Sequence, residues 1–129
     1  MTDRLRKQKR EYYYRRRTTV EGKLKTLLAA ARNRSKRYGR PFDLTYEYLA
    51  EVWLNQGGKC AITGEDFDLT PPEDTKHSHA APSLDQIMPG EGYTQGNVRL
   101  VTYQCNMALN QWGENRLIKF AKLVLEERG

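Results

Sequence analysis

The sequence predicts an α+β fold in which a two-stranded hairpin and the helix after it are flanked by helices at both ends. Apolar residues recur at helical spacing over 24–31, 45–56 and 114–125. Residues 81–109 instead read as a strand, a glycine-rich turn and a second strand that runs into a helix. Helices segregated from one short antiparallel sheet indicate the α+β class.

The N-terminal segment is dominated by basic residues. Residues 1–40 contain 15 Lys and Arg against three acidic residues, a net charge of +12. The rest of the chain holds the other seven basic residues and thirteen acidic ones, a net charge of −6. We therefore divide the chain into a basic N-terminal arm and helix, 1–40, and a second domain, 41–129. Because the arm lacks a continuous apolar face, DNA is a better expected partner for it than a membrane surface.

Within this segment, residues 3–17 are interpreted as either a solvated helix or a disordered arm that orders on nucleic acid. Tyrosines at 12–14 stand next to a run of arginines, where they could stack on bases. Lysine and arginine side chains neutralise phosphates without reading the base sequence. The arginines expected to bind DNA here are Arg10, Arg15, Arg16, Arg17, Arg34 and Arg37.

Two amphipathic helices follow the arm. The first is expected to begin at a threonine cap, Thr18 or Thr19, and to end at Gly39. Its apolar face consists of Leu24, Leu27, Leu28 and Ala31. The second is expected to be capped by Thr45 and to stop at Gly57, with Leu49, Val52 and Trp53 buried.

The centre of the chain predicts short strands and loops. Residues 59–69 suggest two short strands joined by a turn near Gly64, and 70–80 form a polar, proline-rich surface loop. The hairpin and its helix come next. A closing helix from Glu114 is expected to pack on the domain through one side that carries Leu117, Phe120, Ala121, Val124 and Leu125.

Compartment and redox state are inferred from what the sequence contains. It has no run of 18 or more apolar residues and no apolar N-terminal segment, so neither a membrane span nor a signal peptide is expected. A cytoplasmic protein is therefore predicted. In that compartment Cys60 and Cys105 are expected to be free thiols.

Several motifs taken together resemble the HNH, or ββα-metal, endonucleases, especially small phage-type members. They are "GGKCAITG", "PSLDQI", "GYTQGNVRLV" and "QCNMALNQWG", and the resemblance extends over about residues 24–125. It implies a hairpin and helix that hold one divalent cation, Mg²⁺ or Mn²⁺, and hydrolyse phosphodiester bonds of DNA. If the protein is phage-encoded, its location would be the cytoplasm of a bacterial host.

The resemblance also implies a role for individual residues. Asp85 matches the acidic metal ligand, and Asn106 matches a second ligand that is His in some members. Asn97 matches the asparagine that braces the loop and orients the general base. Arg99, two residues further along the strand, is positioned for a phosphate contact. A hard cation such as Mg²⁺ needs few protein oxygens, because water and phosphate complete its coordination shell.

One departure from the family pattern concerns the general base. Gln86 stands where the usual motif has a His that takes the proton from the attacking water. An amide can orient water but cannot accept a proton near neutral pH. The candidate replacements are His77 and His79, with His79 favoured because it is nearer the strand, or a water held by Gln86. Tyr93 and Tyr103 are weaker candidates, since an unperturbed tyrosine has a pKa of about 10.

A second departure concerns zinc. Many members hold the fold with two Cys-x-x-Cys pairs, and the matching positions here are Cys60, Thr63, Thr102 and Cys105. Threonine is a poor zinc ligand, so no structural zinc is predicted. The two cysteines are instead expected to pack against each other as small apolar residues.

The predicted function is a metal-dependent DNA endonuclease that nicks or cleaves double-stranded or branched DNA with low sequence specificity. Asp85, Gln86, Asn97, His79 and His77 are the candidate catalytic residues. The alternative is a catalytically impaired HNH-fold protein that binds DNA or another partner, which the absent histidine at position 86 favours. A small RNA-binding or structural protein is a third interpretation. The oligomeric state is left open.

Overall fold

The structure, a computed structural model, describes residues 2–70 and 78–129, without the side chain of Arg17. Within these residues the chain forms helices and one two-stranded antiparallel sheet, which confirms the mixed α+β class. None of the described helices is long and apolar enough to cross a membrane. The elements in chain order are α1 (Asp3–Thr18), α2 (Val20–Tyr38), α3 (Tyr46–Gln56), β1 (Pro82–Gln86), β2 (Val98–Thr102), α4 (Tyr103–Leu109) and α5 (Gly113–Arg128).

The basic arm is helical, so the first of its two interpretations holds for the described residues. Helices α1 and α2 meet at Thr19, whose hydroxyl accepts a hydrogen bond from the backbone N–H of Gly22 at 3.1 Å. Gly22 allows the two helices to approach closely, because a Cβ at this position would lie 2.5 Å from the Cα of Arg16. Most of α1 is exposed, and its basic side chains are accessible from solvent.

Helices α2 and α3 begin and end where the sequence predicts. Thr45 caps α3 by accepting a hydrogen bond from the N–H of Tyr48 at 3.1 Å. Gly39 and Gly57 end α2 and α3 in the left-handed conformation, with φ of 64° and 66°, which favours glycine. Leu24, Leu28 and Ala31 of α2 and Leu49 of α3 are buried in the same core as the hairpin, while Val52 and Trp53 are half-buried.

The prediction of two short strands in 59–69 is wrong. Only an isolated bridge joins Lys59 to Asp66, and the segment between them is a tight turn with Gly64 at a φ of 74°. The backbone of Cys60 still accepts from Gly64 and donates to Glu65. The segment is too short for a ladder because the turn consumes most of its hydrogen-bonding groups.

Strands β1 and β2 form the antiparallel hairpin that the sequence predicts, and β2 continues directly into α4. Asp85 is the register partner of Arg99, so both side chains lie on one face of the hairpin. The outer edge of β2 is covered by the side chain of Gln56, whose amide exchanges two hydrogen bonds with the backbone of Leu100 at 2.9 and 3.0 Å. This amide links α3 to the hairpin and leaves no open strand edge there.

The expectation that α5 packs on the domain along its length is wrong. Of the α5 residues, only Leu117 packs against the smaller core cluster, which consists of Cys60, Val101, Cys105 and Leu109. From Ile118 to the end of the helix every residue is exposed. The amphipathic pattern identified the helix correctly, but the domain offers it a surface only about two turns long.

Candidate functional site

A polar cleft lies at the end of β1, next to the second half of α4 and the segment after it. Its volume is about 330 Å³, and it opens to solvent. Elements far apart in sequence meet there: the end of α2, the hairpin, the loop after β1 and the segment after α4. The lining residues are Arg34, Arg40, Leu84, Asp85, Gln86, Pro89, Gly90, Tyr93, Asn106, Asn110 and Gln111.

Asp85 supplies the carboxylate of this cleft. Its Oδ2 accepts a hydrogen bond from Nε of Arg99 at 2.9 Å, and Nη1 of Arg99 also donates to Glu114 of α5 at 2.9 Å. Burial raises the pKa of Asp85, and the hydrogen bond and charge of Arg99 only partly oppose this effect. Because the ionised form is disfavoured by burial, a cation bound beside Asp85 would relieve an existing electrostatic penalty.

Asn106 faces the same cleft from α4. Its amide nitrogen donates to Oγ of Ser83 at 2.7 Å and to the carbonyl oxygen of Leu84 at 3.3 Å. Both acceptors belong to β1, so the helix fixes the orientation of the amide against the strand. With the nitrogen engaged in this way, the side-chain oxygen is the atom that remains for a ligand in the cleft.

Gln86 has a structural role that the sequence did not reveal. Its side-chain oxygen accepts hydrogen bonds from the backbone N–H groups of Gly90 at 3.2 Å and Gly92 at 3.0 Å. The oxygen therefore folds the loop after β1 back onto the strand. Only the amide nitrogen of Gln86 is left to contact a water, and that group can donate a hydrogen bond but cannot accept a proton.

Asn97 fastens the other side of the same loop. Its Oδ1 accepts from the N–H of Met88 at 2.8 Å, and its Nδ2 donates to the carbonyl oxygens of Gly92 at 2.8 Å and Met88 at 3.4 Å. These bonds correspond to the bracing that the resemblance implies. Its orienting effect on a general base stays a prediction, because its amide is directed to the loop backbone.

The loop is also tied to α3 and to the segment before it, by contacts that sequence reasoning missed. Oδ1 of Asp43 accepts from the N–H of Gln95 at 2.7 Å, and the hydroxyl of Tyr48 accepts from the N–H of Gly96 at 2.8 Å. Gly92 lies so close to Pro41 that a Cβ would be 2.5 Å from its carbonyl oxygen. Pairs this distant in sequence have no local signal, and only the positive-φ glycines hint at a close approach.

Two arginines, Arg34 and Arg40, also line the cleft, and the guanidinium group of Arg40 lies over the ring of Tyr38, 5.6 Å from its centroid. Nη1 of Arg34 donates to the hydroxyl of Tyr93 at 3.1 Å, which directs a residue of α2 to the cleft. Arg40 follows the Gly39 turn, in which its N–H donates to the carbonyl oxygen of Ser35 at 3.0 Å. The sequence proposed Arg34 from charge alone, named Tyr93 only as a weaker candidate base, and missed Arg40 as a cleft residue. Two guanidinium groups in one cleft can both donate hydrogen bonds to a phosphate.

The histidines do not occupy this cleft in the described part of the chain. His79 is largely exposed and its Nε2 lies 3.1 Å from a carboxylate oxygen of Glu65, away from the residues that line the cleft. His77 lies outside the described residues. A proton acceptor beside Asp85 is therefore not supplied by His79 in this conformation.

The basic arginines outside the cleft differ in how they are held. Arg10 and Arg15 are exposed on α1. Arg16 donates to the hydroxyl of Tyr12 at 2.8 Å and stacks over its ring. Arg37 lies over the ring of Tyr38, 5.6 Å from its centroid. Arg99, by contrast, is bound by two carboxylates, Asp85 through Nε and Glu114 through Nη1.

The four positions that match the zinc-binding cysteines of the family do come together. Sγ of Cys60 accepts from the N–H of Thr102 at 3.3 Å, and Oγ1 of Thr102 caps α4 by accepting from the N–H of Cys105 at 3.1 Å. Burial and the nearby Cys60 raise the pKa of Cys105 to about 11. Burial also acts to raise the pKa of Cys60, but hydrogen bonds from Thr63 and nearby backbone groups outweigh it and lower that pKa. As expected, both thiols are free and buried in one apolar cluster.

The donor set for a metal ion is small. Within residues 2–70 and 78–129, no group of three or more His, Cys, Asp and Glu could hold an ion. The cleft offers two hard oxygens, from Asp85 and Asn106. This set fits Mg²⁺ or Mn²⁺, whose remaining ligands are usually water and phosphate, better than zinc, which prefers three or four nitrogen and sulfur ligands.

Comparison of the chain with models of known protein families, with curated proteins and with solved structures finds no match. Its function must therefore be argued from the residues and the geometry of the cleft.

Proposed function

We propose that the protein is a metal-dependent endonuclease of the HNH, ββα-metal type, which nicks or cleaves double-stranded or branched DNA in the cytoplasm with little sequence preference. One observation carries the proposal. Asp85, at the end of the first hairpin strand, and Asn106, on the helix after the second strand, line the same cleft as the basic pair Arg34 and Arg40. Oxygen ligands and two guanidinium groups in one cleft suit a phosphodiester bound to a divalent cation.

In this proposal Asp85 and Asn106 hold one Mg²⁺ or Mn²⁺ ion through their side-chain oxygens. When bound, the cation would stabilise the charge on the scissile phosphate and its leaving oxygen. Arg99 holds the carboxylate of Asp85 in a fixed orientation through its hydrogen bond of 2.9 Å. Gln86 and Asn97 hold the loop that forms one wall of the cleft, so both act as positioning residues.

The basic residues divide into two groups in this proposal. Arg34 and Arg40 contact the scissile phosphate, since both line the cleft. Arg10, Arg15 and the other exposed cations of α1 contact phosphates further along the duplex. Contacts of the second kind raise affinity without reading sequence, which agrees with low sequence specificity.

A specific observation favours the alternative, a catalytically impaired HNH-fold protein that binds DNA or another partner. The oxygen of Gln86 is used by two backbone amides, and His79 pairs with Glu65. The described residues thus place no histidine beside Asp85. In the nuclease proposal the proton acceptor is His77, or a water molecule in contact with the cation or the substrate phosphate.

The test compares nicking of supercoiled plasmid by the protein with Mg²⁺, Mn²⁺ or EDTA. We expect nicking in both metals and none in EDTA. Asp85→Asn should abolish nicking, because the amide keeps the shape but not the charge of the carboxylate. The matched control is Glu91→Gln, which removes one exposed carboxylate from the loop near the cleft and should leave nicking unchanged.

The outcomes separate the two candidates. Plasmid binding without nicking in either metal would favour the impaired binder and sink the nuclease. His77→Ala then asks whether the segment outside the described residues supplies the base: it should lower the nicking rate by roughly 10²–10⁴-fold if it does. If a phosphate of the substrate occupies the cleft, substitution of both Arg34 and Arg40 by Gln should weaken nicking by the nuclease.

A further inference from the structure

Helix α5 exposes an apolar surface that the domain does not cover. Phe120 and Leu123 are 56% and 49% exposed. The helix is anchored only near its N-terminus, where Leu117 packs against the small core cluster and Glu114 binds Arg99. Large apolar side chains grouped on one exposed helix usually mark a contact surface.

An open groove of about 600 Å³ lies at the base of this surface. Met107 and Trp112, both 64% exposed, form its walls together with Phe120. A single cation, Arg116, stands among these apolar side chains. A segment that fills the groove should therefore be apolar and carry an acidic group at the position that meets Arg116.

The exposed side of α5 carries a pattern of charged and apolar residues that can pair with a second copy of itself. Arg116, Phe120, Leu123 and Glu127 follow one another at spacings of four, three and four residues, which puts them on one side of the helix. The order is cation, apolar, apolar, anion. When two copies of this stripe lie antiparallel, Arg116 of one faces Glu127 of the other, and Phe120 faces Leu123.

We propose that a second copy of this chain covers α5, with the two α5 helices antiparallel about a twofold axis near Ala121. In this arrangement Glu127 of each copy meets Arg116 of the other, and Phe120 packs on Leu123. The interface is self-complementary, as a twofold dimer requires. A parallel pairing would place Arg116 on Arg116 and Glu127 on Glu127, so charge selects the antiparallel arrangement.

The dimer links the two candidate sites through short connections. Glu114, in the first turn of α5, binds Arg99, which binds Asp85 of the cleft. Asp85 of each cleft is thus connected to the helix that forms the interface through two ion pairs that share Arg99. The proposal does not depend on any activity of the cleft.

The test is sedimentation equilibrium of the full chain without DNA, from about 1 to about 100 µM, a range that includes the dissociation constants of many modest interfaces. We expect a concentration-dependent dimer. Arg116→Glu or Glu127→Arg should each weaken it about tenfold or more, because symmetry removes two pairs and creates like-charge contacts. The double variant, Arg116→Glu with Glu127→Arg, should restore dimerisation. Phe120→Gln should leave a monomer.

The matched control is Lys36→Glu, which makes the same change of charge on the exposed last turn of α2 and should leave the dimer unchanged. A wild-type chain that stays monomeric at the highest concentration overturns the proposal. So does a dimer that the α5 variants do not weaken, since its interface lies elsewhere. A double variant no tighter than the single ones also overturns it, because the antiparallel charge pairs are then absent. Far-UV circular dichroism checks that each variant stays folded.

Discussion

The loop between β1 and β2 forms one wall of the candidate cleft, and helix α5 is connected to the cleft through Glu114 and Arg99, but the two are held in opposite ways. Side chains hold the loop at several points: Gln86 and Asn97 bond its backbone from within, Asp43 bonds it from the segment before α3, and Tyr48 bonds it from the first turn of α3. Helix α5 is anchored in its first turns and exposes its apolar residues beyond them.

The difference lies in what the side chains of each region do: those of the loop hold its backbone through hydrogen bonds, whereas the apolar ones of α5 remain exposed. The loop needs a fixed shape because it forms a wall of the cleft, and hydrogen bonds to backbone groups are directional enough to fix it. Helix α5 holds its shape through its own backbone hydrogen bonds, so its side chains are left for a partner surface. Substitutions in the two regions should therefore differ sharply in their effect on the free energy of unfolding.

The largest effect is expected for Gly92→Ala in the loop. Gly92 has a φ of 101°, and a Cβ there would lie 2.5 Å from the carbonyl oxygen of Pro41. The backbone has to shift, and we expect a loss of about 3 kcal/mol of unfolding free energy by chemical denaturation. The control, Gly90→Ala, has a positive φ but no atom within 4 Å of its Cβ, so a cost of about 1 kcal/mol is expected. Equal losses for both variants would show that the contact with Pro41 is not tight.

The next largest loss of unfolding free energy is expected for Asn97→Ala. This substitution removes all the hydrogen bonds by which the Asn97 side chain, directly before β2, braces the loop. Leaving the N–H of Met88 and the carbonyl oxygen of Gly92 without this partner should cost about 2 kcal/mol. The matched control is Asn115→Ala on the exposed face of α5. If Asn97→Ala costs no more than that control, the loop is held chiefly by Gln86 and Asp43.

These two regions also separate what the sequence could and could not predict. Caps and stops have a local signal, so Thr45, Gly39 and Gly57 were assigned correctly, the cap of α2 was narrowed to Thr18 or Thr19, and the strand–turn–strand–helix order was correct. The contact of Arg34 with Tyr93, 59 residues away, has no local signal, because it depends on tertiary approach. The hydrogen bonds of the Gln86 oxygen span only four and six residues, but the sequence does not indicate the direction of that side chain. In α5 the periodic pattern identified an apolar side, but a pattern cannot tell whether the surface that covers it belongs to the same chain.

A smaller effect tests the cleft itself. At a Mg²⁺ concentration ten times its dissociation constant, binding to the folded chain alone should add about 1.4 kcal/mol to the unfolding free energy. Asp85→Asn should remove this gain, since the carboxylate supplies the charge that attracts the ion. Thermal unfolding with Mg²⁺ and with EDTA measures it, and Glu91→Gln serves as the control. An equal gain in Asp85→Asn would assign the cation to another part of the chain.

The smallest effect is expected on the other side of the comparison, for Phe120→Gln in α5. A buried phenylalanine typically contributes about 3–5 kcal/mol relative to alanine, whereas Phe120 is 56% exposed in the single chain. Measured by denaturation at a concentration where the chain is monomeric, the variant should change the unfolding free energy by less than about 0.5 kcal/mol. At concentrations where α5 pairs with a second copy, the same substitution should cost more, because there it removes an interface contact. A large cost at high dilution would mean that Phe120 is covered within its own chain, and the contrast between the braced loop and the unpartnered helix would fail at that residue.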